Sequence, residues 1–358
     1  MTGPKTTIDP VIHRSTTRAA HPLGLPLIDL SLNESPWPPS PLVTEAARAR
    51  SSSGNRYPDQ FSSDLREAIA RTYHLHPEHL VVGNGSEELL DVIGRAFVRP
   101  GDQILISEHG YIQFPLVAAR LGAEMVRAKE TDCVANVDNL LAAVTPATKL
   151  VFLAVPNNPT GTNVPVAEVE RLVGSLPSDV ALVLDLAYGE YVGWDYCARY
   201  HELAAQHENV FVLRTFSKAF GLAAFHVGWV HAAPEYIPVL ETLCGIANVN
   251  AIAQAAAAVT LTDLDYVSAR VAETIAERTR VSIALEALGF EILPAAANFL
   301  MVSHVDDANA WADFLYEKAG IIVRRVREPG LQHFVRFSIG TSLENDLLIQ
   351  TTRQFPRV

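Results

Sequence analysis

Short apolar runs rich in β-branched residues alternate with longer amphipathic segments through the middle of the chain. The apolar runs are typical of buried strands, whereas the longer segments repeat their apolar residues at the spacing of amphipathic helices. Strands separated by helices favour an α/β domain with a mainly parallel, doubly wound sheet covered on both faces. The strands are predicted at 80–82, 103–106, 149–155, 180–184 and 210–213, and the helices at 87–98, 112–121, 136–144 and 166–174.

The two ends of the chain differ from this pattern. Residues 32–41 hold four prolines, which restrict φ and remove hydrogen-bond donors, so an extended arm is predicted there. Beyond it, Ser63 is predicted to cap a helix. A long helical pattern over about 264–288 suits a connector between two domains. The predicted division is an N-terminal arm over 1–40, a large domain over 41–265 and a smaller α+β domain over 266–358, with strands at 299–302, 321–325 and 335–339.

The amino-acid composition argues against several classes of protein. Hydrophobic residues make up 49% of the 358 positions, which is enough for a large core and excludes a mostly disordered chain. The net charge of −12 argues against a general nucleic-acid binder or a polybasic membrane-surface protein. The three cysteines form no C-x-x-C pair, and no apolar run reaches the length of a membrane span. We therefore expect a cytoplasmic protein without nucleic-acid, membrane or metal partners.

Four polar segments follow predicted strands, at the edge of an open α/β sheet where ligands bind. Each comes directly after an apolar run, so all four are expected to meet at one edge. The segments are 83–87 (GNGSE), 156–161 (PNNPTG), 185–188 (DLAY) and 214–218 (RTFSK).

Taken singly, each segment has an ordinary explanation beside the functional one. The helix start at 83–87 can hold a phosphate on its backbone amides or be a plain helix cap, and 156–161 can be a simple turn. Asp185 ends a strand predicted to be buried, where a carboxylate needs a partner. An isolated Lys218 is usually solvated, but burial after an apolar strand would lower its pKa and make it a nucleophile.

Together the segments resemble the aspartate aminotransferase (fold-type I) superfamily of pyridoxal-phosphate enzymes, and most closely the histidinol-phosphate aminotransferase group. The resemblance covers nearly the whole chain, and nine ordered matches are far more specific than any one of them. It implies the fold-type I architecture and pyridoxal 5'-phosphate as the cofactor. The motifs are LNESP, NRYPD, GNGSEEL, PNNPTG, DLAYGEY, TFSKAFGLAAFHVGW, ANFLMV, GIIVRR and VRFSIGT.

The resemblance implies catalytic roles for three residues. Lys218 would hold the cofactor covalently and then move the proton at the reacting carbon. Asp185 would pair with the pyridine nitrogen and keep it protonated. Tyr188, with Asn158, would hydrogen-bond the phenolic oxygen of the cofactor. Tyr111 matches the aromatic position that stacks on the ring, although an ordinary half-buried tyrosine would also explain it.

The resemblance also implies a phosphate site. The phosphate would lie on the amides of the α-helix start and accept hydrogen bonds from two hydroxyls. Tyr57 matches a position that reaches the phosphate from a neighbouring subunit, which implies a homodimer with its sites at the interface. The residues assigned to the phosphate within one chain are Gly85, Ser86, Glu87, Thr215 and Ser217.

Substrate contacts follow from the same resemblance. Arg336 matches the arginine that clamps the substrate α-carboxylate, with Asn298 in support. Arg324 and its neighbour Arg325 lie where the family contacts a substrate phosphate, and exposed arginines at a strand end would explain them equally well. Asn33, in LNESP, is assigned to the substrate as well.

Two positions depart from the family pattern. Leu186 stands where the family has a glutamate, in D-E-A-Y. His226 stands eight residues after Lys218, where the family has an arginine that binds the cofactor phosphate. We assign His226 to the cofactor in its place.

Three functions are compatible with these motifs to different degrees. The first is transfer of an amino group between an amino acid, or amino-acid phosphate, and a 2-oxo acid. The second keeps the cofactor but changes the reaction, as in threonine-phosphate decarboxylases or other chemistry at the substrate Cα or Cβ. The third, a transcription regulator with an aminotransferase-like domain, is disfavoured because an arm of about 30 residues is too short for a winged helix.

Overall fold

The computed structural model describes residues 20–304 and 307–356. Residues 1–19 of the predicted arm lie outside this range. The helices are Pro41–Ser51 (α1), Ser63–Tyr73 (α2), Gly85–Phe97 (α3), Gln113–Leu121 (α4), Val137–Ala143 (α5), Val166–Ser175 (α6), Trp194–Gln206 (α7), Ile237–Leu243 (α8), Ala251–Thr260 (α9), Leu264–Glu286 (α10), Ala308–Ala319 (α11) and Ser342–Thr352 (α12). None of these helices is both long enough and apolar enough to cross a lipid bilayer.

The strands form a large sheet, a smaller sheet and two short pairs. The strands are Ile28–Asp29 (β1), Leu80–Gly83 (β2), Gln103–Ser107 (β3), Glu124–Ala128 (β4), Glu130–Thr131 (β5), Val134–Ala135 (β6), Thr148–Ala154 (β7), Ala181–Asp185 (β8), Val210–Thr215 (β9), Gly228–His231 (β10), Phe290–Ile292 (β11), Phe299–His304 (β12), Ile321–Ile322 (β13), Arg324–Arg325 (β14) and Phe334–Ser338 (β15).

The large sheet has seven strands in the order β2-β10-β9-β8-β7-β3-β4. Strands β4, β3, β7, β8 and β9 run parallel, whereas β10 is antiparallel to both of its neighbours. Side chains alternate between the two faces: Val183 packs in a core with α3 and α4, while Leu182 and Leu184 pack in another with α6 and α7. The predicted α/β class with a mainly parallel, doubly wound sheet is confirmed.

All five strands predicted for the large sheet are present, but two others were missed. β4 is a partly exposed edge strand without an apolar run, and β10 is a four-residue strand between turns. The prediction that Ser63 caps α2 is wrong, because Ser63 is the first helical residue. Asp59 satisfies the free amides instead: its side chain accepts hydrogen bonds from Ser63 N at 2.6 Å and Phe61 N at 3.0 Å.

The smaller sheet is antiparallel, in the order β11-β12-β15-β14. The single strand predicted at 321–325 is divided, because β14 joins this sheet while β13 pairs in parallel with β1 of the arm. The smaller sheet has its own core, in which Trp311 and Phe337 are fully buried. The domain boundaries at 40/41 and 265/266 stay predictions.

A buried ion pair ties β9 to the segment after β8. Arg214 Nη2 lies 2.5 Å from Glu190 Oε1, and both side chains are only 1% exposed. The guanidinium also contacts His201 Nε2 at 3.0 Å and lies over the rings of Tyr73 and Trp229. Burial, followed by the charge of Arg214, holds the pKa of His201 well below its usual range, so its ring is a neutral acceptor. The pair therefore joins the two chain segments that end at the same sheet edge.

Glu190→Gln should lower the free energy of unfolding by about 3 kcal/mol, because it leaves the Arg214 charge buried without its counter-charge. Urea denaturation of the two proteins measures the difference. Glu202→Gln is the matched control, since Glu202 pairs with Arg199 at the surface, and it should change stability far less. Equal losses in both variants would contradict a special role for the buried pair.

Candidate active site

A cavity of about 330 Å³ lies at the carboxyl edge of the large sheet, where the smaller sheet and the arm meet it. Most residues predicted for the site line it. Those that do are Asn33, Gly85, Ser86, Glu87, Tyr111, Asn158, Asp185, Tyr188, Thr215, Ser217, Lys218, His226, Arg324 and Arg336. The structure therefore brings together residues from seven parts of the chain.

The register of the central strands sets the position of the main groups. Ala154, at the end of β7, lies beside Asp185 at the end of β8, and Asp185 lies beside Leu213 of β9. The apolar stretches of these strands are fully buried on both faces, so their polar residues can come only at the ends. Lys218 follows β9 by three residues and reaches the same cavity.

Asp185 and Lys218 are buried groups whose charged forms are disfavoured. Burial raises the pKa of Asp185 to about 7, although its carboxylate accepts a hydrogen bond from Ala187 N at 3.0 Å. Burial, together with the charge of Arg336, lowers the pKa of Lys218 to about 8. Lys218 Nζ donates to the Leu32 carbonyl at 3.4 Å. The carboxyl group and the amine therefore both change protonation state near neutral pH.

A hydrogen-bonded chain joins Tyr188 to the arginine of the smaller sheet. Tyr188 Oη accepts from Asn33 Nδ2 at 3.0 Å and from Asn158 Nδ2 at 3.3 Å. Asn158 Oδ1 in turn accepts from Arg336 Nη1 at 2.5 Å. Arg336 Nη2 donates to the Ser31 carbonyl at 3.1 Å. The asparagine amide is thus oriented by the guanidinium on one side and the phenol on the other.

The N-terminus of α3 opens into the cavity between two glycines. Gly85 has a φ of +77°, and a Cβ there would lie 2.7 Å from Cε1 of His226. A Cβ on Gly228 would lie 2.4 Å from Ser86 N. Only glycine lets the His226 ring and β10 approach the helix start this closely. The amides of a 13-residue helix and an adjacent imidazole make this end of the cavity suited to an anion.

Tyr111 forms part of the cavity wall. Its hydroxyl donates to Glu87 Oε1 at 2.7 Å, and its ring meets Phe114 edge-on at an interplanar angle of 89°. The hydroxyl of Thr215 accepts from Ser217 N at 3.1 Å, which shapes the turn between β9 and Lys218. These contacts fix both segments without occupying the cavity itself.

Three residues from the predicted motifs do not line the cavity. Tyr57, between α1 and α2, is 93% exposed. Asn298 is buried behind the arm, where its Nδ2 donates to the Asn33 carbonyl at 3.1 Å. Arg325 is exposed and forms an ion pair with Asp313. Asn298 thus supports the arm, and Arg324 is the member of the arginine pair that faces the cavity.

Sequence reasoning missed three polar residues of the cavity. Glu34 follows Asn33 in LNESP, Gln113 begins α4, and Glu328 lies in the loop between β14 and β15. Glu34 could have been found from its motif. No local signal marks Glu328, because a loop at the end of one sheet reaches the cavity only through the packing of that sheet against the other.

Comparison with known proteins identifies the family. Residues 26–351 match the model of the family described as aminotransferase class I and II. A histidinol-phosphate aminotransferase of Paramagnetospirillum magneticum is 40% identical over 332 residues, which cover 92% of each chain. One of Granulibacter bethesdensis is 40% identical over 330 residues, covering 92% of this chain and 89% of the relative.

A solved structure agrees with these relatives. The histidinol-phosphate aminotransferase of Sinorhizobium meliloti, in complex with pyridoxal-5'-phosphate, superposes with a TM-score of 0.86 at 31% identity, over 92% of this chain and 91% of the other. The predicted family is therefore confirmed. The chain belongs to the aminotransferase class I and II family and, within it, to the histidinol-phosphate aminotransferase group.

Proposed function

We propose that this aminotransferase uses pyridoxal phosphate to move an amino group between histidinol phosphate and a 2-oxo acid. One observation carries the proposal: a single cavity holds a buried carboxylate, a buried amine and a buried guanidinium beside the open N-terminus of a helix. Burying Asp185, Lys218 and Arg336 costs free energy, and a ligand of opposite charge beside each group would offset that cost.

The helix end of the cavity fits the phosphate of the cofactor. Gly85 and Ser86, the first two residues of α3, line the cavity together with Thr215 and Ser217, so backbone amides and hydroxyls are available there to donate. His226 adds one imidazole nitrogen, in the place where an arginine would add a bidentate grip. The amides, hydroxyls and imidazole form a donor-rich cradle, which suits a dianion better than a neutral group.

The opposite end fits the cofactor ring. Asp185, with a pKa raised to about 7 by burial, would be held ionised by a protonated ring nitrogen. Lys218 supplies the amine that attaches to the cofactor. Tyr188 and Asn158, already hydrogen-bonded to each other, would contact the phenolic oxygen. Tyr111, fixed by its bond to Glu87, supplies a flat aromatic wall against the ring.

The chemistry divides between cofactor and protein. Bound pyridoxal phosphate supplies an electron-withdrawing ring that stabilises negative charge on the substrate carbon bearing the amino group. Asp185 keeps the proton on the ring nitrogen, which maintains that withdrawal. Lys218 has a pKa lowered to about 8, so a useful fraction of its amine is neutral near pH 7 and can take the proton from the substrate carbon and return it.

Arg336 supplies a positive charge for the anionic group that each substrate carries. Histidinol phosphate carries a phosphate and a 2-oxo acid carries a carboxylate, so each half-reaction brings an anion close to the reacting carbon. Burial lowers the pKa of Arg336 to about 10, which still leaves it charged at pH 7. Its Nε has no hydrogen-bond partner among the residues the structure describes. Arg324, also in the cavity wall, extends the positive surface toward a phosphate.

We also infer that the enzyme is a cytoplasmic homodimer. Tyr57 is 93% exposed, and Ile246 is 85% exposed on the loop after α8. Both side chains are accessible to a partner, and covering them would remove apolar surface from water. Cys133, Cys197 and Cys244 are free thiols, which agrees with a reducing compartment.

Histidinol phosphate without a 2-oxo acid should be converted in a single turnover of the holoenzyme to its 2-oxo product, with no carbon dioxide released. Adding a 2-oxo acid should restore continuous turnover. Lys218→Ala should lower the rate by several orders of magnitude, because Lys218 is the one lysine among the described residues that lines the cavity. Product quantification and a carbon dioxide assay measure these outcomes.

Lys318→Ala, at the exposed C-terminal turn of α11, is the control and should turn over like the wild type. Release of carbon dioxide from an amino-acid phosphate would indicate a decarboxylase instead. Turnover with other amino donors and none with histidinol phosphate would reject the proposed substrate while leaving the aminotransferase assignment intact.

His226→Ala should raise the Kd for pyridoxal phosphate about tenfold, the cost of losing one hydrogen bond to a charged group. His226→Arg should tighten binding, because a guanidinium offers two donors and a permanent charge. Fluorescence titration of the apo-protein measures both constants. His207→Ala, outside the cavity at the end of α7, should not change the Kd. Unchanged affinity in His226→Ala would mean that the imidazole does not contact the phosphate.

Light scattering of the holoenzyme should give twice the 39.0 kDa mass of one chain. Tyr57→Ala should leave this mass unchanged but weaken cofactor binding severalfold, since it removes one hydrogen bond across the interface. Leu343→Ala, at a side chain on α12 that is 82% exposed, is the control for loss of a surface side chain. A fully active monomer would contradict the shared site.

A further inference from the structure

His109 connects the large sheet to a loop of the smaller one. It follows β3, and its Nδ1 lies 2.8 Å from Glu130 Oε2. Its Nε2 lies 3.1 Å from the carbonyl oxygen of Pro329, in the loop 326–333 between β14 and β15. The side chains of His109 and Glu130 are both well buried, with exposed fractions of 10% and 2%. His109 and Pro329 are 220 positions apart in the chain, so only the tertiary fold brings them together.

Both partners of the ring can only accept hydrogen bonds. A carboxylate and a carbonyl have no hydrogen to donate, and a neutral imidazole has a single N–H. Whichever tautomer a neutral His109 adopts, one of its two contacts would bring two lone pairs together. The imidazolium form alone satisfies both. The hydrogen bond to Glu130 raises the pKa of His109 above its ordinary value, against the opposing effect of burial.

The loop that His109 holds carries a cavity residue. Glu328, directly before Pro329, lines the cavity together with Arg324 of the preceding strand. The carbonyl of His109 itself accepts from Asn157 Nδ2 at 3.0 Å, so the histidine backbone is anchored to the segment next to Asn158. One residue therefore fixes the loop relative to the part of the large sheet that binds the substrate.

We propose that His109 is a positioning residue whose imidazolium holds the 326–333 loop, and with it Glu328, against the cavity, and that loss of its proton loosens this wall. The loop also packs on Met301 through Val326 and Leu331, next to Phe334 of β15, so deprotonation loosens the loop without unfolding it. The substrate affinity depends on the wall, whereas the proton transfer at Lys218 does not. Loss of the His109 proton should therefore raise KM for the amino donor, whereas His109→Gln should match the kcat of the wild type at each pH.

Several titratable or charged groups surround the latch, which we define as His109, Glu130 and the Pro329 carbonyl. Glu108, directly after β3, accepts from Glu130 N at 3.3 Å and adds negative charge near the ring. Burial, then the charge of Glu130, raises the pKa of the Cys133 thiol, so it stays neutral while His109 titrates. The groups on the large-sheet side are Glu108, Glu130, Asp132 and Cys133, and those on the loop are Arg327 and Glu328.

The sign of the pH effect follows from the raised pKa. The latch is complete at pH values below the ordinary histidine pKa of about 6.5. It is lost as the pH rises through the raised value, because His109 then keeps one proton and shares it with Glu130. The Pro329 carbonyl is the partner that is released, since a carboxylate is the stronger acceptor.

Hydrogen–deuterium exchange of the holoenzyme tests the latch without any substrate. The reporters are the amides of Leu331 and of Phe334 at the start of β15, which donate to the loop carbonyls of Glu328 and Leu331 at 3.0 and 2.9 Å. Corrected for intrinsic rates, the exchange of these amides should be slow at mildly acidic pH and about tenfold faster at alkaline pH.

In His109→Gln, which has one donor group and no charge, exchange should be fast and independent of pH. In Glu130→Gln the transition should move to lower pH. His207→Gln, outside the cavity, should behave as the wild type.

Steady-state kinetics over the same pH range give the second readout, which rests on the proposed function. KM for histidinol phosphate should rise about tenfold across the transition in the wild type, and should be high and independent of pH in His109→Gln. If the enzyme does not turn over histidinol phosphate but its loop amides show the exchange transition, then the proposed substrate is wrong and the proposal of the latch stands. Exchange that is independent of pH in the wild type, or a His109→Gln profile identical to it, would overturn the latch.

Discussion

The parallel register of three central strands is the constraint on which the active site depends. In that register Ala154, Asp185 and Leu213 stand side by side, so three chain segments leave the sheet at one edge. A slip of one residue between β8 and β9 would turn Asp185 to the opposite face of the sheet. The segments with Asn158 and Lys218 would then no longer face the same cavity as that carboxylate. The Arg214–Glu190 pair, on the same two segments, reinforces this register from inside the core.

The cavity brings together ionisable side chains whose charges the other residues of the protein do not neutralise. Burial shifts the pKa of Asp185 upward to about 7 and those of Lys218 and Arg336 downward to about 8 and 10. Each shift means that the ionised group is less stable there than in water. A ligand that brings a cationic nitrogen and an anion reverses these costs and binds only the folded chain, so it stabilises the protein. The same groups thus lower the stability of the ligand-free fold and, in the proposed function, bind the cofactor and take part in catalysis.

The cavity is complete only because the arm and the smaller sheet close over the large one. β1 of the arm pairs with β13, Asn33 N donates to Ser338 Oγ at 2.8 Å, and the Ser31 carbonyl accepts from Arg336. These contacts place the arm between the two sheets, where it contacts Lys218 and Tyr188. The His109 latch adds a contact between the sheets from the opposite side. Any change in how the sheets pack would therefore alter the wall of the cavity.

The amino-acid sequence by itself determined most of the elements and the chemistry: apolar runs marked five of the seven strands in the large sheet, and the ordered motifs marked Asp185, Lys218 and Arg336. These signals are local, since the period of a strand and a polar residue at its end are properties of a few neighbouring positions. The tertiary structure decided what depends on contacts across the chain. The antiparallel β10, the division of 321–325 between two sheets, the arrival of Glu328 in the cavity and the two hydrogen bonds of His109 all required partners far away in sequence. Their free energy comes from groups that no local pattern brings together, so only the packed fold determines them.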